Sequence, residues 1–405
     1  MGGGLLQLVA VGIQDIYLIG NPQITFFKTI FKRYTNFSME SIQQPINGRT
    51  DFGQYIQLTI ERKGDLVKDI IFDVLLPILP SGYYWTNGIG NVLFKQIDLE
   101  IGGQLVDRHY SEWLDIWSQL TVDASKIGAY DSMVGNYNSN SNLENNAVEQ
   151  LQLHIPMFFW FNREYSMALP LIALQYHDVV LKITLRDLNS CIRNNTIDIP
   201  LQGYSIVDMN AFIDFIYLDM EERKQFAHTT HEYLINQLQF AEDTTIFSMQ
   251  NTISRTLNFN HPVKEIYWIN IKNEYEQSNI LTGNQQLNYS INTVPPSETF
   301  TSAVMQLNGI ERFNSRPATY FRLVQNYQFH TRYSSKNIYS YSFALYPEKP
   351  YPSGTCNMSK ITTTTLFLNY SSINTNGSNL ILKIFGNNYN IFRIASGMGG
   401  LSFSN

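Results

Sequence analysis

The sequence predicts an all-β protein made of two copies of one strand-rich unit. Three observations carry that reading: period-two alternation in short segments, turn residues between them, and a weak internal repeat. Ile56-Gln-Leu-Thr-Ile-Glu61, Ile97-Asp-Leu-Glu-Ile101 and Leu181-Lys-Ile-Thr-Leu-Arg186 alternate apolar and polar side chains. That period places one strand face on a core and the other towards solvent or a partner. Asn47-Gly48, Gly102-Gly103, Asn308-Gly309 and Pro352-Ser353-Gly354 supply turn chemistry between such runs, as a sandwich or jelly roll requires. Val67-Lys-Asp-Ile-Ile-Phe72 aligns with Val263-Lys-Glu-Ile-Tyr-Trp268, 196 positions on, and Glu100-Ile-Gly-Gly103 with Gln306-Leu-Asn-Gly309, 206 positions on. Two matches in one order at nearly one offset indicate duplication of a unit of roughly 200 residues. Chance similarity among strands, which draw on a small alphabet, is the alternative.

The elements follow in chain order. Phe27, Ile30, Phe31 and Tyr34 recur at i, i+3, i+4 and i+7, so a short amphipathic helix is expected there. Lys28, Lys32 and Arg33 fall largely off its apolar stripe. Residues 1–37 therefore read as an arm built to dock on something. Ser111 is placed to cap a helix on which Trp113, Ile116, Trp117 and Leu120 share a face, in a connection between strands. Asn136–Asn146, rich in Asn and Ser, and Thr293–Ser297 read as surface loops. Phe212–Leu218 is nearly all apolar and suits a strand covered on both faces. Met220–Gln239 is more charged and breaks the β pattern, so residues 220–239 are assigned as a linker between a first domain, 38–219, and a second, 240–405. The second offers strands at Ala303–Leu307, Leu366–Tyr370 and Leu380–Phe385.

Composition bounds the function. A chain of 405 residues suggests two or three domains. Charged residues are 15%, below the usual quarter, alongside 25 Tyr and 25 Phe. Either much surface is buried between subunits, where aromatics are enriched and charge depleted, or the chain is a β-rich monomer, since aromatics also favour strands. The net charge of −6 argues against a sequence-independent grip on nucleic acid. Two cysteines, Cys191 and Cys356, point to a reducing compartment, and nothing requires them to pair. Met1-Gly-Gly-Gly4 lacks the basic region of a signal peptide, and Leu6 stands where a myristoylation motif needs Ser or Thr. No apolar run approaches the ~18–20 residues that span a bilayer, so the expectation is a soluble or membrane-peripheral chain.

Catalytic chemistry finds little support. His228-Thr-Thr-His231-Glu232 has its histidines three apart, unlike a zincin helix, and reads as a polar linker. His109, His154, His177, His261 and His330 are scattered, and His177 and Asp178, adjacent on a strand, point to opposite faces. No nucleophile elbow, Walker loop or Rossmann fingerprint occurs. Ser396-Gly-Met-Gly-Gly400 lacks a phosphate loop's Lys-Ser/Thr and reads as a tight turn of the C-terminal backbone. Cys356 reads as a small packed residue. We therefore expect no catalytic residue, cofactor or metal. Six Asn-x-Ser/Thr triplets occur, at Asn36, Asn194, Asn288, Asn357, Asn369 and Asn376. Asn194 and Asn288, in loop-like surroundings, are the better candidates for glycosylation.

Several segments resemble the major capsid proteins of large nucleocytoplasmic DNA viruses, most closely the algal-virus type. They are Gly20–Phe37, Glu40–Gln44, Leu99–Gln104, Leu169–His177, His231–Ile235, Phe259–Pro262, Gln306–Gly309, Pro352–Asn357 and Ser396–Gly400, in family order along nearly the whole chain. The stretches around Asp131–Glu149 and Asn273–Thr299 do not match, so loop-borne properties do not carry over. The resemblance implies two tandem eight-stranded jelly rolls with a few short helices in loops, and no enzyme activity. It implies a homotrimer with six similar lobes that tiles an icosahedral shell beside neighbouring capsomers, assembled in the host cytoplasm. The arm would lie on the inner side, Phe27, Ile30, Phe31 and Tyr34 docked on the subunit base or a neighbour. Lys28, Lys32 and Arg33 would face minor capsid proteins or the acidic head groups of an inner membrane. Met1 and the family-like Gly397–Asn405 suggest a complete chain. A second reading, from another class, is a carbohydrate-binding β-sandwich or glycan-processing enzyme, with Tyr83, Tyr84 and Trp85 exposed in a Gly-rich loop to stack on sugars.

Overall fold

Alternating side chains sort the strands after the arm into two pairs of sheets. The computed structural model describes residues 2–29, 31–137, 145–291, 298–371 and 378–403. Met1–Asn36 and Phe37–Asn405 are separate units. In the larger unit the first eight principal strands are β1 (Phe37–Gln44), β2 (Tyr55–Thr59), β3 (Leu66–Leu76), β4 (Phe94–Ile101), β5 (Gln104–Tyr110), β6 (Leu151–Pro156), β7 (Val179–Leu185) and β8 (Asp208–Leu218). They form antiparallel sheets ordered β1-β8-β3-β6 and β2-β7-β4-β5. The second eight are β9 (His231–Ile246), β10 (Thr252–Thr256), β11 (Pro262–Lys272), β12 (Ser302–Leu307), β13 (Ile310–Pro317), β14 (Tyr339–Ser342), β15 (Thr364–Asn369) and β16 (Leu380–Ala395). Their sheets run β9-β16-β11-β14 and β10-β15-β12-β13, the same order strand for strand. Both halves are eight-stranded jelly rolls, and the duplication seen in the sequence is a duplication of topology.

Each roll packs its two sheets through inward side chains. In the first, Ile70, Phe72 and Val74 of β3 meet Ile56, Leu58, Ile97 and Leu99 in one buried cluster, and the rings of Phe72 and Phe94 lie 5.3 Å apart. In the second, Ile266 and Trp268 of β11 share a cluster with Met305 and Leu366. A buried side chain of this size contributes about 1.5–3 kcal/mol.

The hairpins matched in sequence are matched in backbone. Gly102 and Gly103 have φ of 60° and 80°, Asn308 and Gly309 of 50° and 80°. Both are two-residue turns with left-handed central residues, whose twist suits paired strands.

The boundary between the rolls departs from expectation. Residues 220–239 are not a linker throughout. Met220–His228 is a helix whose first N–H is accepted by Asp219, with Glu221 and Glu222 in its first turn, where acidic groups favour the helix dipole. β9 then begins at His231. Its strand character was masked by Asn236 and Gln237, which are buried polar residues with partners. Asn236 accepts from Lys264 Nζ at 3.0 Å, and Gln237 accepts from Asn390 Nδ2 at 2.8 Å. Phe212–Leu218 also differs, since Phe212 and Asp214 on the outer face of β8 are only half-buried. Most of Asn136–Asn146 and all of Thr293–Ser297 lie outside the described residues. Asn146 itself is buried and brackets the backbone of Trp85, accepting from its N–H at 2.9 Å and donating to its C=O at 3.0 Å.

The two turns differ in what surrounds them. A Cβ on Gly102 would meet the His177 ring. Gly102→Asn, which installs the residue found at the equivalent position 308, should therefore destabilise by about 1–3 kcal/mol through overpacking. Gly309→Ala, which faces open space, should cost only the left-handed backbone term of about 1–2 kcal/mol. Urea titrations of both variants check the order; an equal or smaller loss for Gly102→Asn would contradict it.

Candidate assembly surfaces

The rolls are joined by a helix that leaves β5 and enters the second half. Ser111–Thr121 carries Trp113, Leu114, Ile116, Trp117 and Leu120, all buried, and its polar side chains Glu112, Asp115, Ser118 and Gln119 are buried too. A one-faced helix was expected; this one is enclosed on every side. Its N-cap position is Tyr110, and the Ser111 hydroxyl instead donates to Glu112 at 3.0 Å. Trp113 meets Tyr267 edge-on at 5.3 Å and Phe385 at 6.1 Å. Tyr110 lies 5.0 Å from Phe240. Such pairs add about 0.5–1.5 kcal/mol each beyond area burial.

Polar groups fix the register of this seam. Lys383 Nζ donates to Glu112 at 2.8 Å and to Glu276 at 2.5 Å. Lys336 reaches Asp115 at 2.7 Å, and Arg332 Nε donates to the Gln119 carbonyl at 2.9 Å. Asp107 accepts from the Leu238 N–H at 2.9 Å, and Asn284 Nδ2 donates to the Ile192 carbonyl at 2.7 Å. Burial opposes ionisation of Glu112, but Lys383 and Arg186 outweigh it and hold the carboxyl at about 2. Burial also works against the Lys383 ammonium. Glu112, Glu276 and Asp243 outweigh it and hold the group above the usual lysine range.

A second ionic cluster sits deeper. His330 is fully buried between Glu265, 2.8 Å from Nε2, and Glu348, 3.0 Å from Nδ1. Burial opposes its charge, yet the two carboxylates raise it to about 9. Burial, with Arg163 nearby, pushes Lys264 down to about 7. Arg163 stacks 3.9 Å over Trp117, and burial lowers it to about 10. The cluster resembles an acid–base triad in composition only; its carboxylate-flanked imidazole has no exposed face and ties the segments carrying His330 and Glu348 to β11 through Glu265. Sequence reading missed it because its members lie 65 and 18 residues apart. Among the described residues, no group of three or more His, Cys, Asp or Glu side chains is arranged for a metal ion.

The arm differs from what its periodicity suggested. Helices form at Gly3–Val9 and Ile16–Ile19, joined by a 3-10 turn at Ile13–Asp15. Phe27–Thr29 and Phe31–Tyr34 are not helical, and Ile30 lies outside the described residues. Phe27 is 98% exposed and Phe31 85%. A short helix is marginal without a packed face, and Thr25, Thr29 and the aromatics are poor helix formers. Lys28, Lys32, Arg33 and Tyr34 are exposed as well. No described residue of the arm is buried.

Other candidates resolve into structure. Tyr83, Tyr84 and Trp85 are not an exposed sugar platform: they form a buried strand paired with Ile192–Asn194. The Tyr84 hydroxyl donates to Asn195 at 2.6 Å. Asn194 is 1% exposed, and its Oδ1 accepts from the N–H groups of Thr196 and Ile197. Asn194 is therefore a buried turn residue in the folded chain and not the exposed loop residue expected. Asn288 is half-buried, with Nδ2 donating to Gln285 at 2.9 Å. His231 Nε2 lies 2.7 Å from the Phe226 carbonyl. His177 Nδ1 lies 2.8 Å from the Gly399 carbonyl, while Asp178 takes Arg62 at 3.0 Å. Ser396–Gly397 is a left-handed turn leading into Met398–Leu401, which pairs with β16. Cys191 and Cys356 are free thiols, and burial pushes Cys191 up to about 12.

Two jelly rolls of one topology, fused through a charged seam and carrying an exposed apolar arm, define a protein of the tandem jelly-roll capsid class. Residues 25–219 match the family described as Major capsid protein N-terminus, and residues 222–400 match Large eukaryotic DNA virus major capsid protein. The chain is 41% identical to the major capsid protein of Pyramimonas orientalis virus and 38% identical to that of Paramecium bursaria Chlorella virus 1, over 100% of both chains in each case. A quasi-atomic model of the PBCV-1 virus capsid contains a chain that superposes with a TM-score of 0.81 at 35% identity, covering 94% of this chain and 100% of that one. The Faustovirus major capsid protein shares the fold at a TM-score of 0.76 and 14% identity, covering 95% of this chain and 94% of that one. This chain belongs to the major capsid protein family of large nucleocytoplasmic DNA viruses, a structural family.

The seam makes a measurable prediction. Lys383→Met leaves Glu112 charged and unpaired in a buried site, and should cost about 3–5 kcal/mol in urea unfolding. Glu112→Gln/Lys383→Met should cost less than the two single losses summed. The Glu112 carboxyl titrates lower in the folded chain than in the unfolded one. Its contribution is thus full above the ordinary glutamate range and fades as pH falls through about 2. Additive losses at neutral pH would show that the pair is uncoupled.

Proposed function

We propose that three copies of this chain form a pseudo-hexagonal capsomer, and that such capsomers tile the icosahedral shell of a large double-stranded DNA virus. The observation that carries this is the identical strand order of the two rolls. Two equivalent lobes per chain let a threefold assembly imitate sixfold symmetry and pack in a nearly hexagonal array. A fused seam supports the same reading, because lobes that tile must hold a fixed relation. The work done is burial of surface between copies and between capsomers, and obligate interfaces of this kind are large and apolar. Assembly takes place in the host cytoplasm and the mature protein resides in the virion. The carbohydrate-binding alternative is not favoured, since the aromatic trio it needed is buried.

In this reading the arm works on the inner side of the shell. Its exposed Phe27, Phe31 and Tyr34, with Ile30, dock on the subunit base or a neighbour. Lys28, Lys32 and Arg33 meet minor capsid proteins or the anionic head groups of an inner membrane, where each basic residue contributes about 1 kcal/mol.

Light scattering of the purified protein should give about three times 46.7 kDa, persisting on dilution; a stable monomer overturns the capsomer. Replacing Lys28, Lys32 and Arg33 together with Glu should leave that mass unchanged and reduce particle yield in an assembly assay at least tenfold. Unaltered yield would remove the arm's basic residues from assembly.

A further inference from the structure

Lys264 and Asn236 face each other across the middle strand of a sheet, in surroundings unlike those of an ordinary buried cation. Val263 and Glu265 pair with consecutive residues of β16, Asn388 and Asn387, so Lys264 is the extra residue of a bulge in β11. A bulge re-aims the side chain it carries. Here the amine passes over the ring of Tyr389, 4.7 Å from its centroid, towards Asn236 on β9, which pairs with that same Tyr389. Nζ lies 3.0 Å from Asn236 Oδ1 and 3.2 Å from the Lys349 carbonyl. Both of these partners are neutral oxygens.

The pair is closed to water: Lys264 is 0% exposed and Asn236 3%. The acids whose charge reaches Lys264, Glu265 and Glu348, are already bound to His330. Burial without an ion pair of its own penalises the ammonium. The neutral amine that results has a nucleophilic lone pair. The first roll supplies a natural control. Lys68 stands at the position of Lys264, 196 residues earlier, and is buried too. Its Nζ instead meets the Asp69 carboxylate at 3.2 Å and the Asn162 carbonyl. Duplication kept the lysine and changed what it faces.

We propose that Lys264 Nζ and Asn236 Cγ join in an intramolecular isopeptide bond, a covalent strut between β9 and β11. Cγ is bonded to the oxygen that Nζ touches, so the two atoms lie within about 4.2 Å. A small side-chain rotation brings them to the near-attack range of about 3–3.5 Å. The lone pair of the neutral amine attacks Cγ, and the carbonyl π electrons move to Oδ1. One Nζ proton passes to Nδ2, the Cγ–Nδ2 bond breaks, and ammonia leaves as the carbonyl re-forms. The products are a secondary amide and one ammonia, and no oxidant, metal or co-substrate enters. The charge of Arg163 acts on Lys264, and its Nη1 is buried with no hydrogen-bond partner among the described residues. It is the cation at hand for the transient charge on Oδ1. The bond joins positions 28 apart on strands that flank β16, so neither strand can leave the sheet alone. It does not depend on how many copies assemble.

Mass spectrometry of the full-length protein, kept folded at mildly alkaline pH and then denatured, tests it. The expected mass is that of the sequence, with or without Met1, less one ammonia. In a tryptic digest, Gln225–Arg255 should be joined to Thr256–Lys272, with the chain uncut after the acylated Lys264. Lys68→Arg should keep both signatures, and Lys264→Arg should lose both. The full sequence mass, with Thr256–Lys264 and Glu265–Lys272 released as separate peptides, overturns the bond. An ammonia loss confined to one unbranched peptide, as cyclisation at Asn308-Gly309 would give, overturns it equally. The deciding peptide is read on the unaltered chain, so misfolding of a variant cannot mimic either result.

Discussion

Tyr267, Ile269 and Ile271 lie on a sheet face that an isolated jelly roll would present to water. Their burial in one cluster with residues of the first roll, where Trp113 of the Ser111–Thr121 helix meets Tyr267, is the constraint on which the rest of the chain depends. It turns two sandwiches into one body, since the first roll's core cluster runs on through these residues to Phe385 and Phe392. It also explains why the helix has no solvent face, and why its four polar residues Glu112, Asp115, Ser118 and Gln119 must all find partners. Apolar burial supplies most of the attraction, because it is proportional to area and indifferent to register. Indifference to register is what a tile cannot tolerate.

The ionic groups answer that difficulty. Replacing a buried ion pair by well-packed apolar residues is often neutral or stabilising. Glu112–Lys383 and Asp115–Lys336 are therefore poorly explained as sources of stability alone. They are better explained by what misalignment would cost. A shift along the seam by one residue would strand Glu112 in a buried site without Lys383, whereas the aromatic contacts of Trp113 would slide with little loss. The same logic applies to Asp107 accepting from Leu238 N–H, a contact possible only when β5 and β9 are in one alignment.

How legible this was depends on the range of the interaction. Strands such as Ile56–Glu61 and Ile97–Ile101 were readable because alternation is local, and the two hairpins because left-handed turns admit few residues. The start of β9 was not readable, because Asn236 and Gln237 look like linker residues until their partners on β11 and β16 are known. Tyr83–Trp85 was misread for a similar reason, its glycine-rich surroundings hiding a buried strand. The expected helix at Phe27–Tyr34 shows the opposite error: a helical periodicity in a segment whose described residues, Phe27–Thr29 and Phe31–Tyr34, are neither helical nor buried. The seam lay furthest out of reach, since Glu112 and Lys383 stand 271 positions apart. No pattern along the chain reports that distance.

Duplication has a physical consequence beyond economy. Two copies of one unit begin with the same side chains and are free to diverge, and they have: Tyr267 stands where the first roll has Ile71, and Lys264 faces Asn236 where Lys68 faces Asp69. The low overall charge of the chain fits a selective use of its few ions. Glu112, Asp115, Lys336 and Lys383 stand where one alignment must be chosen over its near neighbours, whereas pairs such as Arg49–Asp51 and Lys224–Glu221 lie on the exposed surface and contribute little.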